Sequence, residues 1–371
     1  MKKIIIYIKR KINLDYLSKI SWDEFDNYFI KTLHCLRIKS TLEDYFDLNC
    51  WHLRMTDIFS FDLKLISLVS NVEKVFRIIE PQFNLLNDSE NLEKMVDIIK
   101  INNCFKNINN KILQYYNINE SGSNSLKKFA QIINVEKEQK FLKFINEKFT
   151  DEFLINVMTL FENRKNDSKI WKYISDEATI PAIYEYIITI VWWKILKKEV
   201  NIYDLLKNKI DADFLPIHHT TGLKADIFFE IEGLYDIPKH TLLIEVTLSE
   251  NKGQRKMELE PVHRHTLDQV IKNIDLNKTV LTYFISPNVD TIISQMFRNY
   301  SKFPIIIKDK LIEGVNIMSL TNQLLIKILQ KNINYKFLYD LTINTINSSY
   351  NQKDWFKKFE NNIFSYNEKN I

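Results

Sequence analysis

The sequence predicts an α+β protein in which a mainly helical first part precedes an α/β core, a central mixed sheet flanked by helices. The distribution of turn-forming residues supports this prediction. Of the five glycines and seven prolines, only Gly122 and Pro81 precede residue 180, and such scarcity favours helices joined by polar loops. After residue 180, glycine and proline recur between short segments with strand or helix periodicity, which indicates strands mixed with helices.

Length and composition allow two or three domains with a substantial core. The chain has 371 residues, of which 45% are hydrophobic and 26% are charged, and this balance argues against general disorder. The net charge of +4 neither requires nor excludes a polyanionic partner. The three cysteines form no CxxC pair. Their odd number argues against a disulfide framework or structural zinc and favours a reducing compartment.

The apolar segments are too short for secretion or membrane insertion. The run that follows Lys3 is shorter than the apolar region of a signal peptide. The longest apolar stretch, 187–193, is interrupted by Thr189 and closed by Lys194, well below the ~20 residues that span a bilayer. We therefore expect a soluble, cytoplasmic protein without a membrane partner.

A polar segment at 164–168 separates two regions with periodic apolar residues. We place the domain boundary at this segment. The sequence then predicts a mainly helical region over 1–165. It predicts an α/β region over 166–371, which ends in a C-terminal helical extension.

The periodicity of apolar residues predicts the elements of the first region. Apolar residues at spacings of three and four predict helices over 59–79, 92–101 and 125–149. The segment 102–119 is rich in asparagine and is predicted as a connector. A turn near Asn134, which would divide the last helix into two, is an alternative.

Positive charge is concentrated between residues 100 and 150, where the sequence has nine lysines and only four glutamates. Such a surplus is typical of a surface that contacts nucleic acid. It is also typical of a helix face that is only solvated. Both interpretations stay open.

The second region reads as strands and helices in alternation. A helix is predicted over 181–198, with Thr179 as its N-cap and Pro181 in its first turn. The alternating segments predict strands over 225–231, 242–248, 279–285, 304–307 and 315–320. The segments with helical periodicity are 262–275, 290–300 and 322–329.

An acidic residue interrupts one of the predicted strands. Glu245 shares a strand face with Leu243 and Thr247, and a buried lone carboxylate is unfavourable unless it is paired or bound to a metal. Asp226 lies early in the preceding strand, and Glu258 follows the strand that holds Glu245. A cluster of carboxylate oxygens suits Mg²⁺. The alternative is that Glu245 belongs to an edge strand and points into solvent.

Three segments in order carry a resemblance to a known family. They are GLKADI at 222–227, LIEVTL at 243–248 and QRKMELEPVHRH at 254–265. The sequence resembles the AlwI family of type IIS restriction endonucleases and nicking enzymes, within the PD-(D/E)XK nuclease superfamily. The resemblance extends from about residue 181 to residue 287 and includes a Glu-Tyr pair at 185–186.

The resemblance implies roles for the acidic residues. It implies that Asp226 and Glu245 bind the catalytic Mg²⁺, for which Mn²⁺ is a possible substitute. Glu258 would be a third acid of the site, which either binds the metal or orients a water. Glu185 would complete the acidic cluster from the helix behind the sheet. Thr247 stands where the superfamily has lysine, so water activation would depend on the metal and the carboxylates. Which residue replaces that lysine stays open.

Three further residues in the last segment have alternative interpretations. Glu260 competes with Glu258 as the third acid, but the residue before a proline favours extended geometry, which could turn Glu260 elsewhere. Arg264 and His265 match the family's Arg-His pair. They could contact the scissile phosphate, or they could balance the charge of the acids and orient them.

The resemblance implies a type II site-specific deoxyribonuclease that cuts double-stranded DNA at or near an asymmetric site. It implies DNA recognition within 1–165 and a PD-(D/E)XK-like cleavage domain within 166–371. A transient homodimer or a partner cleavage subunit would be needed to cut both strands, and a cognate DNA methyltransferase is expected. The alternatives are a nicking subunit of a heterodimeric enzyme, a non-catalytic DNA-binding protein, or a nuclease acting on RNA or branched DNA.

Overall fold

The computed structural model describes most of the chain beyond residue 110 and short parts before it. The described residues are 21–27, 45, 49, 52–53, 59–62, 65–68, 73, 77, 110–119, 123–175, 178–217, 225–233, 236–276, 278–307, 309–312, 314–349 and 354–367. Two compact units, Met1–Val69 and Ser70–Ile371, divide the chain. The helix predicted over 92–101 lies outside the described residues.

The first unit contains a β-hairpin. Strand β1 (Phe59–Asp62) pairs antiparallel with strand β2 (Leu65–Leu68). The prediction of a helix beginning at residue 59 is therefore wrong for both segments. Phe59 and Phe61 alternate with Ser60 and Asp62, and this two-residue period with aromatic residues favours a strand.

Two helices precede the predicted domain boundary. Helix α1 (Ser123–Lys148) confirms the helix predicted over 125–149, and it continues through Asn134 without the alternative turn. Thr150 caps helix α2 (Asp151–Leu160) by accepting a hydrogen bond from the Phe153 N–H.

Part of the predicted connector at 102–119 is helical, so that prediction is wrong over residues 110–115. The ring of Tyr116, just after this helical turn, packs edge-on against Phe129 of α1 with centroids 5.2 Å apart. Ile118 is also buried. These tertiary contacts stabilise the segment despite its high asparagine content, which disfavours a helix.

A buried helix crosses the centre of the second unit. Helix α4 (Ile180–Ile195), which follows α3 (Asp167–Tyr173), buries every residue except Pro181 and Lys194. Thr179 caps it by accepting from the Ala182 N–H, as the sequence predicts. Such all-round burial marks a helix that is packed on all sides by other elements.

The second unit contains a four-stranded mixed sheet. Strands β3 (Ile227–Ile231) and β4 (His240–Val246) pair antiparallel, whereas β4 pairs parallel with β5 (Thr279–Ser286). Strand β5 also pairs parallel with β8 (Asn316–Thr321). This mixed sheet confirms the predicted α+β class.

The remaining elements of the second unit include those that the sequence predicts over 262–275, 290–300, 304–307 and 322–329. They are α5 (Ile202–Leu206), α6 (Asn251–Met257), α7 (Leu259–Asn273), α8 (Thr291–Tyr300), β6 (Ile305–Ile307), β7 (Lys310–Ile312), α9 (Asn322–Gln330), α10 (Tyr335–Asn347) and α11 (Trp355–Ser365). Helices α10 and α11 lie where the sequence predicts a C-terminal helical extension.

Helices cover the two faces of the sheet. On one face, the ring of Trp192 in α4 packs against Tyr283 of β5, with centroids 4.8 Å apart. On the other, Val262 of α7 and Phe297 of α8 pack against Phe284 of β5. In the part of the chain that the structure describes, no helix combines the length and apolar character that crossing a membrane requires.

One hydrophobic core runs through helices on both sides of residue 165. Phe141 of α1 and Leu154 of α2 share this core with Ile183 of α4 and Leu324 of α9. The packing of the helices therefore continues across the predicted boundary between residues 165 and 166. The division into a recognition region and a cleavage region stays a prediction.

Candidate active site

Two acidic residues lie side by side where β3 begins and β4 ends. Ile227 pairs with Ile244, so the antiparallel register, continued by one residue, sets Asp226 opposite Glu245. Side chains of directly opposed residues lie on the same face of a strand pair. The Asp226 Oδ2 atom accepts a hydrogen bond of 2.8 Å from the Val246 N–H, which fixes this carboxylate beside β4.

The electrostatic environment of Asp226 disfavours its ionised form. Burial raises the pKa of Asp226 well above its usual value, and the negative charges of Glu245 and Glu185 raise this pKa further. The Val246 N–H and the Lys209 ammonium act in the opposite direction. A cation that binds beside a carboxylate in these surroundings stabilises its ionised form.

Glu245 is buried inside the sheet. Only 6% of the residue is exposed, and β4 lies between β3 and β5, so the alternative of an edge-strand acid facing solvent is not observed. The Nδ1 atom of His265, on α7, lies 2.8 Å from the Glu245 Oε1 atom and donates to it. This contact supports the interpretation that His265 orients an acid of the cluster.

Opposing effects act on the ionisation of Glu245. Burial raises its pKa, and the hydrogen bond and positive charge of His265 lower it. The charges of Glu258 and Glu185 raise it again, and the net direction is upward. Carboxylates from distant parts of the sequence therefore interact electrostatically in one region.

Glu258 is held by the segment that follows β4. Its Oε1 atom accepts hydrogen bonds from the Thr247 hydroxyl at 2.6 Å and from the Ser249 hydroxyl at 3.3 Å. The Ser249 N–H donates in turn to the Thr247 Oγ1 atom at 3.0 Å. Thr247 thus orients the Glu258 carboxylate through a neutral hydroxyl group.

Glu260 and Arg264 lie apart from these contacts. The Arg264 Nε atom is 3.0 Å from the Glu260 Oε1 atom, one turn along α7, and the two side chains are 39% and 72% exposed. The structure therefore brings Glu258 to Thr247 and leaves Glu260 in a surface ion pair. Arg264 does not join His265 among the buried groups.

Glu185 contacts a residue that the sequence analysis does not identify. Its Oε1 atom lies 2.6 Å from the Nζ atom of Lys209, which also donates to the Asp226 main-chain oxygen at 2.9 Å. A glutamate within an apolar helix indicates that a cation lies nearby, since buried carboxylates are rarely unpaired. The sequence does not indicate which of the many lysines provides it.

A second group missed by the sequence analysis is Gln254, which is fully buried on α6. Its Nε2 atom donates to the Ser249 carbonyl, the Ser286 hydroxyl and the Asn288 carbonyl. Its Oε1 atom accepts from the Asp290 N–H at 2.7 Å. Gln254 therefore ties the segments after β4 and β5 to the same helix, beside the acidic residues.

The acidic groups fit a magnesium site in which the protein supplies only a few of the ligands. Among the described residues, no group of three or more His, Cys, Asp and Glu side chains is arranged to hold a metal ion. Magnesium often takes only one or two carboxylates and completes its shell with water and substrate phosphates. The opposed pair of Asp226 and Glu245, both with raised pKa values, suits such a cation. Direct ligation by Glu258 stays a prediction.

The comparison with known protein families defines the class of the chain as a restriction-type nuclease. The model of the AlwI restriction endonuclease family matches residues 2–328. The chain belongs to the AlwI restriction endonuclease family, as its motifs predict. None of the curated proteins matches it.

One solved structure with similarity to the chain is the small subunit of the heterodimeric restriction endonuclease R.BspD6I. The two sequences are 20% identical, and the match covers 56% of this chain and 98% of that chain, with a TM-score of 0.41.

Proposed function

We propose that the chain is a Mg²⁺-dependent DNA endonuclease of restriction type with a PD-(D/E)XK-like core. Membership of the AlwI family supports a nuclease that acts on DNA. The observation that carries the proposal is that Asp226 and Glu245 lie opposite each other, at the edge of the sheet where β3 begins and β4 ends. Glu258 lies next to this pair, held by Thr247.

Asp226 and Glu245 are the groups that we expect to hold the metal. A bound Mg²⁺ would lower the pKa of a coordinated water and neutralise charge on the phosphate. Mn²⁺ is expected to substitute, because carboxylate and water ligands suit both ions.

The remaining side chains have supporting roles in this proposal. His265 orients the Glu245 carboxylate and favours its ionised form through the Nδ1 hydrogen bond. Glu258, fixed by the hydroxyl groups of Thr247 and Ser249, is placed to orient a water or to accept its proton. Thr247 itself carries no charge, so it cannot stabilise a developing negative charge as lysine would.

The finer assignment follows from the family and is also a proposal. We infer type IIS cleavage near an asymmetric site, with recognition of DNA by 1–165. Cleavage of both strands would require a second active site from a transient homodimer or a partner subunit. In the absence of either, the product would be a nick. A methyltransferase that modifies the same DNA site would protect the DNA of the cell, and we infer that both enzymes are cytoplasmic.

Incubation with supercoiled plasmid tests this proposal. We expect Mg²⁺-dependent cleavage that a chelator abolishes, with discrete linear fragments from a double-strand cutter and relaxed circles from a nicking enzyme. Glu245→Gln keeps a hydrogen-bond acceptor for His265 but removes the charge, and cleavage is expected to fall by at least ~10³-fold. Glu260→Gln, which changes an exposed acid on the same side of the sheet, is the control and should cleave normally. Wild-type rates for Glu245→Gln would refute the site.

A further inference from the structure

The Glu185 carboxylate is buried where a negative charge is unfavourable. Its side chain is 4% exposed, and its neighbours along α4 are almost all apolar. Removing an ionised carboxylate from water is unfavourable unless a partner compensates its charge. The ammonium of Lys209, at 2.6 Å from the Glu185 Oε1 atom, is a compensating group.

The backbone of Lys209 is fixed on both sides. Its N–H donates to the Leu206 carbonyl at 2.7 Å, and its carbonyl accepts from the Ile217 N–H at 2.9 Å. Ile210 forms an antiparallel bridge with Pro216. The side chain, 23% exposed, therefore extends from a hydrogen-bonded part of the segment 207–217, which follows α5.

The same ammonium reaches the metal-binding pair through the main chain. Its second hydrogen bond, of 2.9 Å, goes to the carbonyl oxygen of Asp226. Lys209 thus joins α4 to the peptide unit from which the Asp226 side chain extends. Charged hydrogen bonds of this kind are stronger than neutral ones, so the contact restrains the position of that carboxylate.

We propose that Lys209 is a positioning residue of the acidic site, which supplies from the connection before β3 the positive charge that Thr247 cannot supply from β4. This inference rests on the proposed nuclease function. Lys209 neutralises Glu185 and holds the Asp226 peptide, so that Asp226 and Glu245 stay opposed. The metal and the DNA phosphate then meet a pre-organised pair.

Lys207 provides a matched control two positions away. Its Nζ atom is 2.7 Å from Asp204 Oδ1, but both side chains are largely exposed and lie on the α5 side of the connection. An exposed ion pair contributes little to stability. Lys207→Met therefore removes the same charge from the same segment without touching Glu185 or Asp226.

The test compares Lys209→Met, Lys209→Arg and Lys207→Met in the full chain. We expect Lys209→Met to weaken Mn²⁺ binding, measured by calorimetry, by about tenfold, the effect of losing the charged hydrogen bond that holds the Asp226 carbonyl. Single-turnover cleavage should fall about 100-fold. Lys209→Arg should recover most of both losses, and Lys207→Met should match the wild type. Lys209→Met with wild-type Mn²⁺ affinity and cleavage rate would overturn the proposal.

A second variant separates positioning from simple neutralisation. If Lys209→Met does not fold, the double variant Lys209→Met with Glu185→Gln removes the buried charge that Lys209 balances, and we expect it to fold. We expect its Mn²⁺ binding and cleavage to stay below those of Glu185→Gln alone, because the bond to the Asp226 carbonyl is still absent. Values equal to those of Glu185→Gln alone would limit Lys209 to a structural role and contradict the proposal. A wild-type chain without Mg²⁺-dependent cleavage would instead refute the nuclease function itself.

Discussion

At the scale of single residues, Asp226 and Glu245 are acids whose ionised forms lower the stability of the folded chain but could bind a cation. Burial is the main cause that raises the pKa of each, and nearby carboxylates add to it. Without a cation, their ionisation at neutral pH opposes folding. Groups arranged in this way are typical of functional sites, where activity is obtained at some expense of stability.

Replacement of Asp226 by asparagine is therefore expected to stabilise the metal-free protein. Its pKa in the folded chain lies above the usual value of 3.8, so the folded state binds the proton more tightly than the unfolded state does. Stability then falls as pH rises from the usual value through the raised one. Asp226→Asn should gain roughly 0.5–2 kcal/mol at mildly alkaline pH.

Denaturant unfolding in chelator, at mildly alkaline and at strongly acidic pH, measures this difference. The gain should vanish in strong acid, where the wild-type carboxyl group is also protonated. The amide oxygen that Asp226→Asn introduces can still accept the Val246 N–H, so a lower stability of the variant at alkaline pH would contradict the electrostatic account.

At the scale of elements, α6 connects the ends of β4 and β5 through a buried side chain. Gln254→Leu should destabilise the protein by about 1–3 kcal/mol, because it leaves partly buried main-chain groups without their side-chain partner. Thermal and denaturant unfolding measure the change. Gln330→Leu at the exposed end of α9 is the control, and an equal effect of both variants would be inconsistent with this assignment.

The helices and strands around the site were predictable because the sequence marks them with local signals, namely helix caps and alternation of apolar residues. Thr179, Asp290 and Thr321 each cap a helix by accepting from a nearby N–H, and alternation marks β3 and β4. The hairpin at residues 59–68 was not predicted, because its short apolar runs fit both a helical and a strand period.

The site was predictable only in part. An acid inside an apolar strand marked Glu245 as a candidate, and strand positions together with the family motifs marked Asp226 and Glu258. Lys209 and Gln254 carry no such signal, because their contacts join residues 24 and 36 positions apart. Periodicity and spacing report local order, whereas these bonds depend on how the connections fold back onto the sheet.

At the scale of the whole molecule, the core depends on helices from both predicted regions. Phe149 and Met158 are fully buried and belong to the same cluster as α4 and α9. A fragment of 166–371 would expose the apolar surface that α1 and α2 cover. We expect it to lose cooperative unfolding and to be rapidly proteolysed, whereas a fragment of 110–371 should unfold cooperatively. Cooperative unfolding of the shorter fragment would show that the boundary separates folding units.

The central claim is that Asp226 and Glu245 together hold a divalent cation. Titration with Mn²⁺, followed by the loss of the free-ion paramagnetic resonance signal, tests it without dependence on DNA sequence. The wild-type chain should bind Mn²⁺ saturably and release it to excess Mg²⁺. The double variant Asp226→Asn with Glu245→Gln should show no such binding. Equal, Mg²⁺-competed binding by the two proteins would place the metal elsewhere and contradict the account.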